Sequence, residues 1–208
     1  MAPTLVNVAV GVLLGVALLG IAFDRRSIAI VGLAAAFPDL DAALALLVPG
    51  ATNAACHSLF LATIVGSVLY WDTERRGTSW LRGRYGFYGV RVAWVAVASF
   101  VVAGIVFDLF TSVGVALLYP LVDRYYVVSG RLVLSSQEGV VQTYFDLGEG
   151  WLALETTGRT STHRIDTWVT PTDDERRLRL VESGWQLVVV LTAIAAVPAK
   201  YALEGGEP

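Results

Sequence analysis

From Val92 to Leu121 the chain runs for thirty residues with a single charged side chain, Asp108. A core helix of a water-soluble domain has no need of such a run, whereas about 20 apolar residues cross the hydrocarbon core of a bilayer. Four further apolar segments lie at Leu5–Phe23, Ile28–Val48, Ala54–Trp71 and Trp185–Leu203. Only 16% of the 208 residues are charged and 55% are hydrophobic, against about 25% charge in an ordinary soluble domain. The expected fold is mainly α, a polytopic membrane helical bundle of about five hydrophobic segments. A net charge of −3 excludes a broad basic surface for nucleic acid. The lone Cys56 excludes an intrachain disulfide framework or a Cys-rich zinc ribbon.

Met1–Thr4 carries no basic residue, so the first segment reads as a retained helix rather than a cleaved signal. Arginine bias sets the expected orientation. Arg25 and Arg26 separate the first two segments, and Arg75, Arg76, Arg82, Arg84 and Arg91 stand between the third and fourth, opposed only by Asp72 and Glu74. With both loops in the cytoplasm, the N-terminus falls outside, and so does Val122–Gly184 with its seven arginines and ten acids. The prediction is a multi-pass protein of the plasma membrane with loop 72–91 cytoplasmic.

The outer region lacks helical patterning. Tyr125–Val128, Arg131–Leu134, Val140–Phe145 and Trp151–Leu154 are short β-rich runs separated by Ser129-Gly130, Glu138-Gly139 and Gly148-Glu149-Gly150, which is turn chemistry. They predict a small extramembrane antiparallel sheet. Thr172-Asp173-Asp174-Glu175 reads as a capping box opening an amphipathic lead-in to the last segment. The expected organisation is a membrane core over 1–121, a β region over 122–171, and the lead-in with its C-terminal helix over 172–208.

Four polar residues interrupt the apolar segments: Asp39 and Asp41 in the second, His57 at the start of the third, Asp108 along the fourth. A charged group at the bilayer centre costs roughly 2.5–3.5 kcal/mol on insertion scales and marks a functional site by default. In the predicted orientation all four lie at a similar depth toward the outer face. On an unbroken helix Asp39 and Asp41 would point about 200° apart. Pro38 is expected to push Phe37 from helical angles, so that an unwound Phe37–Asp41 aims both acids one way. Three carboxylates and an imidazole repel and desolvate one another unless a divalent cation joins them, and this oxygen and nitrogen set suits zinc, manganese or iron. Ser58, Thr111 and Ser112 are close enough in sequence to hydrogen-bond such ligands.

Phe37-Pro38-Asp39-Leu40-Asp41, Cys56-His57-Ser58-Leu59 and Phe107-Asp108-Leu109-Phe110-Thr111, followed by Gly114–Pro120, resemble the motif set of the YdjM-like family over roughly Leu5 to Phe145. The resemblance implies a membrane-bound metal-dependent hydrolase with Asp39, Asp41, His57 and Asp108 as metal or catalytic positions. Three family positions differ. Asn7 and Gly104 stand where members often carry histidine, and Asn53 stands where an arginine is usual.

Some residues have plainer readings. Gly11 and Gly15 form a small-residue spacing suited to close helix packing, and His163 reads as a surface residue of the outer region. Two functions are consistent with the chain. One is metal-dependent hydrolysis of a lipid-linked or phosphoester substrate near the outer membrane face. The other is a non-catalytic membrane subunit or scaffold that binds a protein partner through its outer β region, with a degenerate site.

Overall fold

The computed structural model describes residues 2–48, 50–130, 132–137, 139–144, 154–160, 165, 167–169 and 178–204. Helix makes up 60% of the structure, so the mainly-α expectation holds. Three helical stretches are long and apolar enough to cross a membrane: Arg25–Leu44, Trp80–Phe110 and Gly184–Leu203. The other two apolar segments form shorter helices: α1 (Thr4–Leu18, 15 residues), and α4 (Leu59–Tyr70, 12 residues), which runs on through a π-helical stretch to Arg75. At 1.5 Å per residue these extend about 22 and 25 Å, short of the roughly 30 Å hydrocarbon core. Five full-length crossings are therefore not found among the described residues.

Local chemistry explains where the segments break. Gly20 takes φ +56, which turns the chain into a single 3₁₀ turn over Gly20–Ala22 and ends the first segment before Phe23. Asp24 caps α2 (Arg25–Ala36): its carboxylate accepts from the Ser27 amide at 2.7 Å, and its own amide donates to Ser27 Oγ at 2.9 Å. The Tyr88 hydroxyl donates to the same carboxylate at 3.0 Å, which ties the start of α2 to the next long helix. After α2, Phe37–Leu40 tightens to a 3₁₀ turn and runs into the single turn α3 (Asp41–Leu44). Phe37 keeps helical angles (φ −58, ψ −41), so the expected unwinding does not occur; Pro38 enters at the start of the tighter turn, where its missing N–H costs nothing.

Helix α5 (Trp80–Ser99) breaks at Gly86 and continues through a π-helical stretch, Phe100–Val106, and a 3₁₀ turn, Phe107–Phe110. Asp72 anchors its start. The Ser79 hydroxyl and the Leu81 and Trp80 amides donate to the Asp72 carboxylate and hold its pKa below the usual range. The thirty-residue apolar run is not one helix. At Thr111 the backbone turns extended, and Val115 pairs with Tyr126 through two hydrogen bonds of 3.0 and 2.9 Å. Gly114 makes that approach feasible, with φ +78 and room for no Cβ, which would sit 2.6 Å from the Tyr126 carbonyl oxygen.

The β region forms two antiparallel ladders rather than one sheet. β1 (Tyr125–Val128) pairs with β4 (Leu154–Gly158), and β2 (Leu132–Ser135) pairs with β3 (Gly139–Gln142). Bridging of β1 to Val115 on its other side keeps the β2–β3 hairpin separate. Arg131, Phe145, residues 151–153 and the expected capping box at 172–175 lie outside the described residues, as does His163.

Helix α1 packs on α2 and on α6 (Gly184–Glu204). Val6 and Ala9 meet Val190 and Ala193, while Val10 meets Ala35 and Ala103. A Cβ on Gly11 would lie 2.5 Å from Ala35 Cβ and 2.6 Å from Ser99 Oγ, and one on Gly15 2.9 Å from Ile28 Cδ1. The small-residue spacing is thus an intramolecular seam joining α1, α2 and α5. Gly11→Val should overpack this seam and lower thermal stability in detergent by roughly 1–3 kcal/mol. Gly66, which faces open space on α4, serves as the control: Gly66→Ala should be neutral or stabilising. Equal melting of Gly11→Val and wild type would contradict the seam.

Candidate metal centre

The segment between α3 and α4 carries His57 to the centre of the site. Residues 51–58 are turns rather than helix, so His57 precedes the third apolar helix instead of starting it. Ser58 caps α4 by accepting from the Phe60 amide at 3.2 Å and donates to the Tyr119 carbonyl at 2.7 Å. With its backbone turned this way, the His57 ring is fully buried.

The ring separates the two acids of the Pro38 turn. Asp41 Oδ2 lies 2.8 Å from His57 Nδ1, while Asp39 Oδ1 lies 3.8 Å from Nε2. Tightening to about three residues per turn rotates positions two apart to roughly 120° from each other, which suits two carboxylates on either side of one imidazole. Asp41 Oδ2 also accepts from the Ala54 amide at 3.1 Å. With Asp41 ionised, Oδ2 accepts both bonds and Nδ1 carries the proton; when the ring is neutral, its lone pair is then on Nε2.

That lone pair faces the other two acids. Asp108 Oδ2 is 3.1 Å from Nε2, yet Nε2 is off the direction of a hydrogen bond and has no such partner among the described residues. Ligand atoms of Asp39, His57 and Asp108 all fall within 4.8 Å of one another, and all three residues are buried. An imidazole nitrogen without a hydrogen-bond partner, beside two buried carboxylates, offers three donor atoms that could hold a divalent cation. The residues present therefore fit a metal ion held by Asp39, His57 and Asp108.

Groups that sequence reasoning did not select complete the surroundings. The Asn7 amide donates to both Asp39 oxygens at 3.3 Å. Asn53 donates to Asp108 Oδ2 at 3.3 Å and to the Gly114 carbonyl at 3.1 Å, and the Ala2 amide donates to Asp108 Oδ1. Both asparagines are fully buried. Their signal was visible as amides within apolar sequence, at two positions where the resemblance leads one to expect histidine and arginine. The third such position, Gly104, has no room for a side chain: a Cβ would sit 2.4 Å from Pro38 Cγ and 3.3 Å from the Ala35 carbonyl. The serine and threonine expectations fare differently. Ser58 caps α4, Thr111 Oγ1 bonds back to the Asp108 carbonyl at 2.8 Å, and Ser112 is exposed.

Asn53 adopts φ +52, a left-handed conformation that asparagine tolerates better than most residues. Two contacts hold it there. The Ala116 amide donates to its carbonyl at 2.9 Å, and the buried Tyr125 hydroxyl donates to the neighbouring Thr52 carbonyl at 2.6 Å. Burial, with the charges of Asp41 and Asp123 beside it, keeps the Tyr125 pKa above the usual phenol range, so the hydroxyl remains a donor. Strand β1 thereby clamps the segment that delivers Asn53, Ala54 and His57. Tyr125→Phe should cost roughly 1–3 kcal/mol by stranding a buried acceptor, read as a lowered unfolding midpoint in detergent. An unchanged midpoint would show that the clamp carries no stability.

No curated protein and no solved structure matches this chain. A family model described as YdjM inner membrane protein matches residues 1–197, a span that extends past the sequence motifs into the last helix. Together with its apolar helices, this supports a location in the plasma membrane. The chain belongs to the YdjM inner membrane protein family.

Proposed function

We propose that this protein is a membrane-embedded metal-dependent hydrolase acting on a lipid-linked or phosphoester substrate near the outer membrane face. The observation that carries this reading is the unpartnered Nε2 of buried His57, turned toward Asp39 and Asp108. Asp39, His57 and Asp108 would hold the ion. When bound, a divalent ion supplies Lewis-acid polarisation of a substrate oxygen and lowers the pKa of an attacking water.

The remaining roles belong to the chain's own residues. Asp41 positions the imidazole by taking the Nδ1 proton, an arrangement that fixes the tautomer and raises the basicity of Nε2. Asn7 and Asn53 orient the Asp39 and Asp108 carboxylates as amide donors. Asp39 is the most accessible of the four positions, at 9% exposure, and is best placed to accept a proton from an incoming nucleophile.

A second reading rests on the β2–β3 hairpin, where Leu132, Leu134 and Val140 are exposed at 69%, 82% and 70%. Such an apolar hairpin suits a partner-binding scaffold with an idle site. Metal content separates the two readings. Protein purified in detergent and dialysed against zinc or manganese should retain about one ion per chain. Asp108→Asn and His57→Ala should abolish retention, and Asp41→Asn should weaken affinity about 10–100-fold, the usual cost of removing an orienting partner. Affinity should fall as pH is lowered, because protons compete for the ligands. Equal metal content in wild type and Asp108→Asn would overturn the hydrolase reading.

A further inference from the structure

Two apolar hollows join into one groove along the α4–α5 face. The first, of about 390 Å³, is lined by Leu33, Phe37, Leu61 and Phe100 among others. The second, of about 710 Å³, shares Val65, Ala96 and Val97 with it and continues to Trp71, Asp72, Arg76 and Trp80. The groove is apolar along its length and becomes cationic and indole-lined at one end only. That end lies at the boundary of the apolar segments, where tryptophans and arginines meet headgroups.

The charges there favour an anion. Asp72 accepts from three donors at the start of α5 and also pairs with Arg76 at 3.5 Å, a long, partly exposed contact that contributes little. The Arg76 guanidinium lies 5.6 Å over the Trp71 ring and that of Arg75 5.9 Å over Tyr70, cation–π contacts that hold both charges at the aromatic end of the groove. Arg82 and Arg84 follow at the start of α5, and Glu74 is the one other acid between Trp71 and Arg84. A helix from a second copy that matched the groove's apolar length would bring no further negative charge to its arginine-rich end. A zwitterionic lipid offers them no net charge.

We infer that this groove binds one anionic glycerophospholipid, with its phosphate at Arg76 between Trp71 and Trp80 and an acyl chain laid along Val65, Ala96 and Val97 toward Phe37. The site lies apart from the Asp39–His57–Asp108 group and does not depend on it. Each basic residue near an anionic lipid surface contributes about 1 kcal/mol, or roughly fivefold in affinity. Native mass spectrometry of the full chain in detergent, with phosphatidylglycerol or phosphatidylcholine of identical acyl chains as probes, tests the site. One phosphatidylglycerol should be retained in preference to phosphatidylcholine. Arg76→Gln should reduce that retention roughly fivefold, while Val65→Trp, which fills the groove from an exposed position on α4, should remove it. Metal content should stay at the wild-type level in both variants, which separates this site from the metal centre. Equal retention of the two lipids, insensitivity to both substitutions, or a dimer that excludes lipid would overturn the inference.

Discussion

The arrangement at the centre of this molecule depends on one hydrogen bond, between His57 Nδ1 and Asp41 Oδ2. A buried imidazole has two nitrogens to satisfy, and the partner of one decides what the other can do. With Asp41 accepting at Nδ1, Nε2 is left as a lone pair in a space walled by two carboxylates. Remove Asp41 and the ring is free to rotate or change tautomer, and the acids of two other segments lose the nitrogen between them. The tight turn at Pro38 is what allows neighbouring Asp39 and Asp41 to act on opposite edges of the same ring.

The rest of the fold serves that placement. The Gly11 seam lets α1 approach closely enough for Asn7 to reach Asp39, and the absence of a side chain at Gly104 lets α5 close on Pro38. Strand β1 reaches back through Tyr125 and the Val115 bridge to hold the turn that carries Asn53. The β1–β4 ladder is therefore tied to the helical bundle rather than appended to it.

Much of this was legible before any coordinates. Apolar runs identified the helical segments, and two acids in one run, a third in another and a histidine between them suggested that Asp39, Asp41, His57 and Asp108 converge; all three acids do lie around the His57 ring. Other features could not be read that way. Hydropathy counts apolar residues without regard to backbone angle, so it extended the first segment past Gly20 and the fourth past Thr111, where glycine geometry and a β-bridge take over. The division of labour between Asp39 and Asp41 depends on a rotation of a few tens of degrees per residue that proline alone does not specify. Asn7 and Asn53 read as missing ligands in one dimension, and only their reach across the bundle reveals them as donors to the retained acids.

The central claim is that Nε2 of His57, with oxygens of Asp39 and Asp108, forms the coordination shell of a divalent ion. X-ray absorption at the zinc edge, on protein carrying one equivalent of zinc, tests it most directly. The account predicts imidazole scattering together with oxygen ligands at about 2.0–2.2 Å and no sulfur. A shell of water oxygens without imidazole, or a sulfur ligand at about 2.3 Å from the adjacent Cys56, would contradict it.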